Sequence, residues 1–231
     1  MIVKKDKIEK LARELFPIFR SITGEGVRET LEIISKEIPL EKKFFTSGEK
    51  VFDWTVPKEW KFNHAFLKDL EGNVLLDASK NNLNLLNYSQ SYKGVIKRED
   101  LLNHLYSLES QPNTIPYLTS YYHSNWGFCV TDNFKKSLNN KEYYVDISTD
   151  HFVGKLDYAE FYKKGLSDKE IVLSTYTCHP SMYNDNISGI LLAILIGKYF
   201  ENYQLNHSLR ILFVPETIGV ISWLSRNFEN L

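Results

Sequence analysis

The chain has 231 residues, 43% hydrophobic and 25% charged, a composition ordinary for a globular protein and unlike that of a disordered one. Its 28 basic and 29 acidic residues leave a net charge of −1, so no global field draws it to nucleic acid or an anionic membrane, and neither is expected as a partner. The length admits one large domain or two small ones.

Residues 1–19 carry Lys4, Lys5, Asp6, Lys7 and Glu9 among their apolar positions, so they lack the continuous apolar core of a secretory signal, and a cytoplasmic protein is expected. Ile8, Leu11, Ala12, Leu15, Phe16 and Phe19 recur at helical spacing. The turn Thr23-Gly24-Glu25-Gly26 separates them from a second helical pattern with Val27, Leu31, Ile34 and Ile38. From about Ser47 to Tyr144 the texture changes to short strand-like runs: Val51 to Val56, Asn73 to Leu76, Pro116 to Tyr122, Trp126 to Thr131 and Tyr143 to Ile147. One helical stretch, Arg98 to Leu108, interrupts them. The sequence predicts a separate β-rich domain over 47–147, inserted into an α/β domain made of 1–46 and 148–231.

Beyond Gly165 come strand Ile171 to Tyr176, a helix from about Ile187 to Tyr203, strand Ser208 to Val214 and a helical start at Thr217. The strands are apolar without clean alternation and the helix is apolar on nearly every side, which suits a parallel sheet buried under helices. The most apolar run, Ile187 to Ile196, is about half the roughly 20 residues that cross a bilayer. Cys129 and Cys178 provide neither a disulfide framework nor a thiolate zinc site, and both are expected to be reduced and buried.

The most informative segment is Thr177-Cys178-His179-Pro180-Ser181-Met182-Tyr183-Asn184-Asp185-Asn186-Ile187-Ser188-Gly189, which sets an imidazole and a carboxylate six residues apart between an apolar strand and an apolar helix. A further carboxylate, Glu216, follows the next strand. In open parallel α/β sheets functional groups gather beyond the carboxyl ends of strands, and His179, Asp185 and Glu216 all fall there. Imidazole and carboxylate are preferred zinc ligands, and a carboxylate beside the metal can take a proton from water that the metal acidifies.

Plainer roles stand beside this one. His179 could be a hydrogen-bonded structural histidine, Asp185 an N-cap for the helix beginning near Asn186, and Glu216 a partner for a helix dipole, worth about 0.3–1 kcal/mol. Cys178 and His179, as neighbours on a strand, are expected to point to opposite faces, so a buried thiol is expected and not a nucleophile. Trp54, Trp60, Tyr117, Tyr121, Tyr122, Trp126 and Phe128 read as β-sheet core more readily than as a sugar or peptide platform. His64, His104, His123, His151 and His207 have no motif context.

The motifs carry a resemblance more specific than the spacing. Asp185-Asn186-Ile187-Ser188-Gly189 resembles the Asp-Asn-x-Ser-Gly motif of the co-catalytic zinc aminopeptidases, and Pro215-Glu216-Thr217-Ile218-Gly219 resembles their Glu-Glu-x-Gly motif. The resemblance implies His179 and Asp185 as zinc ligands, Asp185 bridging two ions, and Glu216 as the general base. It is closer still to a bacterial subfamily in which a β-rich insertion interrupts an aminopeptidase-like domain, often found among polysaccharide-biosynthesis genes. Arg20-Ser21-Ile22-Thr23-Gly24-Glu25-Gly26-Val27-Arg28, Val51-Phe52-Asp53-Trp54-Thr55-Val56-Pro57, Thr119-Ser120-Tyr121-Tyr122 and Trp126-Gly127-Phe128-Cys129 carry it. The implied fold is α/β: a partial zinc-aminopeptidase-like (phosphorylase/hydrolase-like) three-layer sheet with an inserted, mainly β domain.

Two positions depart from the pattern: Thr217 stands where the wider family has a second Glu, a metal ligand, and Ser181 replaces the usual Asp after His-x. The family's later strands supply another acidic ligand and a second histidine beyond the position of Leu231. The chain is therefore expected to be a shortened or split product, poorly stable alone, and completed by a C-terminal chain or a homo-oligomer. The expected activity is metal-dependent, aminopeptidase-like hydrolysis of an amide in a peptide or an amino-sugar small molecule, with this fragment expected to be inactive or incomplete by itself. The rival expectation is a non-catalytic binding or scaffold protein of a surface-polysaccharide pathway.

Overall fold

The computed structural model describes residues 5–230, with the side chain of Asn230 excepted, so the ends of the expected first domain at 1–4 and 231 lie outside the described residues. The chain divides into two compact units: Met1–Glu59 with Phe152–Leu231, and Trp60–His151. In chain order the first unit opens with α1 (Lys5–Leu15), α2 (Glu25–Ser35), β1 (Glu41–Thr46), β2 (Lys50–Val51) and β3 (Trp54–Thr55). Next come β4 (Glu59–Lys68), β5 (Val74–Asp77), β6 (Tyr92–Lys97), α3 (Arg98–Leu101), β7 (Leu105–Tyr106), β8 (Phe128–Cys129), α4 (Asp132–Ser137) and β9 (Glu142–Phe152). The first unit resumes with β10 (Lys155–Lys163), β11 (Glu170–Tyr176), α5 (Ser188–Phe200), β12 (Ser208–Val214) and α6 (Ile218–Asn227).

The sheet of the first unit has the order β1-β10-β12-β11. Only β11 and β12 run parallel, while β10 is antiparallel to both β1 and β12, so the sheet is mixed where the sequence predicted a parallel one. The two strands behind this correction, β1 and β10, carry charges that hide an apolar pattern. Those charges form a ladder across one face: Lys43 of β1 bonds Glu160 of β10 at 2.9 Å, Glu160 pairs with Arg210 of β12, and Arg210 Nε bonds Glu170 of β11 at 2.6 Å.

Alternation along each strand separates two faces. Ala159 and Phe161 of β10 and Leu209, Ile211 and Phe213 of β12 join one buried cluster with Leu11 and Leu15 of α1, Leu31 and Ile34 of α2, and Ile190 and Ile194 of α5. Arg210 turns the other way, toward Trp223 of α6, its guanidinium 5.8 Å from the ring centroid. Helices thus cover both faces, giving three layers. The helical spacing read from the sequence is the one buried, since Leu11, Ala12 and Leu15 in α1 and Val27, Leu31 and Ile34 in α2 face the core. Burying each large aliphatic or aromatic side chain contributes about 1.5–3 kcal/mol. β11 forms one edge of the sheet and keeps Ile171 and Val172 exposed. No helix among the described residues is long and apolar enough to cross a membrane.

The second unit is built on a sheet of order β5-β4-β9-β6, with a separate parallel pair β7-β8. Its aromatics mainly pack: the buried Trp60 donates its indole N–H to Ser89 O at 3.0 Å, and Trp126 is sandwiched between Tyr92 and His104, with centroids 3.9 and 3.7 Å away. Both faces of Trp126 are therefore occupied, though Tyr122 stands exposed. Three local predictions are corrected. Pro116 to Tyr122 forms no strand, Trp126 to Thr131 contributes only β8, and the helix expected over Arg98 to Leu108 is α3 followed by a tight turn at Leu102–His104 and β7. Leu105 and Tyr106 leave the helix to pair with Phe128 and Cys129.

The division between units falls after Glu59 and after His151, not at 47 and 147. Long-range contacts decide this. Ser47 N–H donates to Gly154 O at 3.0 Å, and Glu59 accepts from Arg28 Nη2 at 2.6 Å and from Lys155 N–H at 2.8 Å, which ties the β2–β3 hairpin segment to the first unit. A run of short strands in sequence does not reveal which sheet they join.

Candidate active site

β11 and β12 lie side by side and parallel, with Tyr176 opposite Val214, so their carboxyl ends open on one side. Thr177 N–H donates to Val214 O at 2.9 Å and extends the pairing one step. The chains then diverge into two loops, and the loops bring His179 Nε2 to 3.1 Å from Glu216 Oε2. The imidazole is buried, at 7% exposure, while the carboxylate is 45% exposed. A nearly dry ring thus orients an acid group that reaches solvent.

Cys178 closes this arrangement. Its Sγ lies 3.7 Å from His179 Nδ1 and accepts the backbone N–H of Glu216 at 3.2 Å. The expectation that Cys178 and His179 would point apart is corrected, because β11 ends at Tyr176 and strand alternation no longer governs them. Burial pushes the Cys178 thiol up to about 12, so it stays protonated at neutral pH and is no nucleophile. Its part is steric and orienting.

Asp185 lies in an irregular turn over Tyr183–Ile187 with non-helical backbone (φ −134, ψ 79), and its carboxylate is exposed. The helix-capping role expected for it is corrected: α5 begins at Ser188, and its N-cap position, Ile187, makes no side-chain cap bond. The residue that ties this turn to the sheet is Asn186, whose amide donates to Thr175 Oγ1 at 2.8 Å and to Tyr176 O at 3.4 Å. Gly189 leaves room for that amide, since a Cβ there would sit 2.0 Å from Asn186 Oδ1. Gly219 plays the matching part in the other motif, where a Cβ would meet Pro215 Cδ at 2.6 Å. The glycines of both motifs thus serve close packing.

Both loops hold non-glycine residues in left-handed backbone: Ser181 at φ 49, Met182 at φ 31 and Thr217 at φ 57. Each costs on the order of 1–3 kcal/mol and persists only where surroundings enforce it. One enforcer is Ser181 Oγ, which donates to Phe16 O at 3.3 Å. Another, missed in the sequence, is Arg20, which is buried and donates from Nε to His179 O at 2.7 Å. A cation between Ile18, Phe19 and Ile22 is the signal that could have found it.

Imidazole and carboxylate are zinc donors in kind. In number, the contact at the strand ends joins two of the expected residues, and among the described residues no group of three or more His, Cys, Asp or Glu side chains is arranged to hold an ion. Asp185 is therefore not brought into a three-donor cluster with His179 and Glu216.

The three-layer α/β unit has the fold of the zinc aminopeptidases. A zinc aminopeptidase from Bacillus subtilis aligns with a TM-score of 0.55 at 9% identity, over 90% of this chain and 61% of its own. A peptidase precursor from Shewanella amazonensis gives 0.57 at 9% identity, over 98% and 71%. At such identity the likeness is one of fold.

Residues 9–231 match the family described as Domain of unknown function (DUF4910), and the chain belongs to that family. It is 47% identical over 225 residues to a Clostridium acetobutylicum protein named as a candidate polysaccharide biosynthesis protein with an aminopeptidase-like domain, covering 97% of this chain and 52% of that one. The crystal structure of a candidate peptidase from Clostridium acetobutylicum has a TM-score of 0.94 at 46% identity, over 97% of this chain and 53% of that one. The chain thus spans about half the length of these relatives.

Proposed function

We propose that this chain carries the histidine-glutamate part of a metal-dependent, aminopeptidase-like hydrolase that cleaves an amide next to a free amine, in a peptide or an amino-sugar small molecule. The observation that carries the reading is the 3.1 Å contact of His179 with Glu216 beyond two parallel strands. The names of the relatives support the hydrolase class. His179 and Asp185 would be two of the donors to zinc, which when bound acidifies water and polarises a carbonyl, with the remaining donors supplied by further polypeptide. An ionised carboxylate only accepts hydrogen bonds, so Glu216 is suited to take the proton of the attacking water and return it to the departing amine as the C–N bond breaks. The buried His179 ring faces that carboxylate through Nε2, the nitrogen it would also offer to zinc, so the two contacts alternate.

We also propose that the exposed β11 edge, with Ile171 and Val172, pairs with further polypeptide of the same protein, as an unpaired apolar edge favours. The near twofold length of the relatives supports this, and sedimentation of the chain as a monomer that binds no added segment would argue against it.

The second reading is a non-catalytic binding or scaffold protein of polysaccharide biosynthesis, favoured by Thr217 in place of a second Glu and by the lack of a three-donor group among the described residues. A chromogenic aminoacyl amide assay with zinc present separates the two. Turnover lost in Glu216→Gln supports the hydrolase, and no turnover with retained ligand binding supports the binding protein.

A further inference from the structure

The phrase Arg20 to Arg28 has no part in the chemistry above, yet it packs against the loop that does. Arg20 is 1% exposed and lies 159 residues from His179 in sequence. Its guanidinium donates to His179 O at 2.7 Å, to Leu15 O at 2.7 Å and to Thr30 Oγ1 at 3.4 Å. One planar, always-charged group thus joins the end of α1, the second turn of α2 and the backbone of the buried histidine.

The surrounding residues fit this task. Gly26 admits the Arg20 segment against α2, because a Cβ there would lie 2.3 Å from Phe19 O. Ser181 Oγ bonds Phe16 O from the far side of Pro180, so the segment Phe16 to Arg20 grips the loop at two points. That loop contains Ser181 and Met182 in left-handed backbone, which an unsupported chain would leave.

We propose that Arg20 is a positioning residue: by fixing the His179 carbonyl it sets where the imidazole meets Glu216. The proposal rests on the functional reading above only for its consequence, not for its geometry. Lysine at this position keeps the charge but gathers its three donors on one nitrogen, which cannot reach the separated acceptors that the guanidinium fork spans.

The test is NMR of the histidine rings in the full chain, with His179 assigned by its loss in His179→Gln. In Arg20→Lys the His179 ring signals shift and the other five histidines stay in place. Leu31→Ala, a core variant at a buried position of α2, leaves His179 unmoved. Should Arg20→Lys fail to fold, Ser181→Ala removes the second grip and shifts the same signal. An unmoved His179 in the folded variants, or an equal shift in Leu31→Ala, overturns the proposal. A zinc titration keeps the two readings apart. With a zinc-binding wild type, Arg20→Lys weakens affinity by about 10-fold or more, as loss of an orienting partner does. Wild-type affinity retained in folded Arg20→Lys counts against the positioning role. A wild type that binds no zinc removes the metal from the functional reading and leaves the ring shifts to decide on Arg20.

Discussion

The core beneath the sheet and the loops beyond its strand ends are built on opposite terms. In the core, Phe161, Ile194, Ile211 and Phe213 sit in apolar contact on elements of regular backbone. In the loops, Ser181, Met182 and Thr217 take left-handed backbone, and the polar side chains of Arg20, Ser181 and Asn186 hold them. Stability is gathered in one region and spent in the other. The difference explains why a buried histidine can face a half-exposed glutamate at a fixed 3.1 Å.

Mutations test that contrast, and the largest effect belongs to the core. Phe213→Ala, at a fully buried site, is expected to cost about 3–5 kcal/mol in urea unfolding, and a cost near zero would break the comparison. Gly189→Ala forces Asn186 from its bonds to β11 and is expected to cost about 2 kcal/mol, with the His179 ring environment disturbed as well. A core glycine makes the useful contrast: at Gly197 a Cβ would meet Ile38 Cδ1 at 3.1 Å, so Gly197→Ala is read in the same denaturation assay with no change at His179.

Alkaline pH gives the next effect. Burial raises both thiols, Cys129 and Cys178, from 9.0 to about 12, so the native state favours the protonated form more than the unfolded state does. That contribution is intact below pH 9 and is lost as pH rises toward 12, at about 1 kcal/mol per thiol over the first pH step above 9. Cys178→Ala is expected to reduce the alkaline slope of stability, and an unchanged slope would place the thiol in water. The smallest effect is that of Asp185→Ala. With no cap bond to lose it should change stability by less than about 0.5 kcal/mol, whereas a true N-cap would cost about 1 kcal/mol.

Much of this organisation is legible in the chain itself, for reasons particular residues make clear. β11, α5 and β12 announce themselves as apolar runs between loops, and α1 and α2 by spacing such as Leu11, Ala12, Leu15. β1 and β10 do not, because the ladder through Lys43, Glu160 and Arg210 places charges where an apolar pattern would be sought. The site motifs point to His179 and Glu216 through their position after strands, and the fold brings these two together. Asp185 looks like a cap by residue type, but the irregular turn starts α5 three residues later. The role of Arg20 is hidden by sequence distance, since nothing local ties it to His179.

The central claim is that His179 and Glu216 act as one unit, and a double-mutant cycle on amide turnover tests it most directly. With zinc and the further polypeptide proposed to pair with β11 both present, the rates of wild type, His179→Ala, Glu216→Gln and the double variant are compared on a chromogenic aminoacyl amide. The account predicts turnover in the wild type and a double variant about as slow as either single one, as for residues that work together. Independent, multiplying losses, or a wild type without turnover, would contradict it.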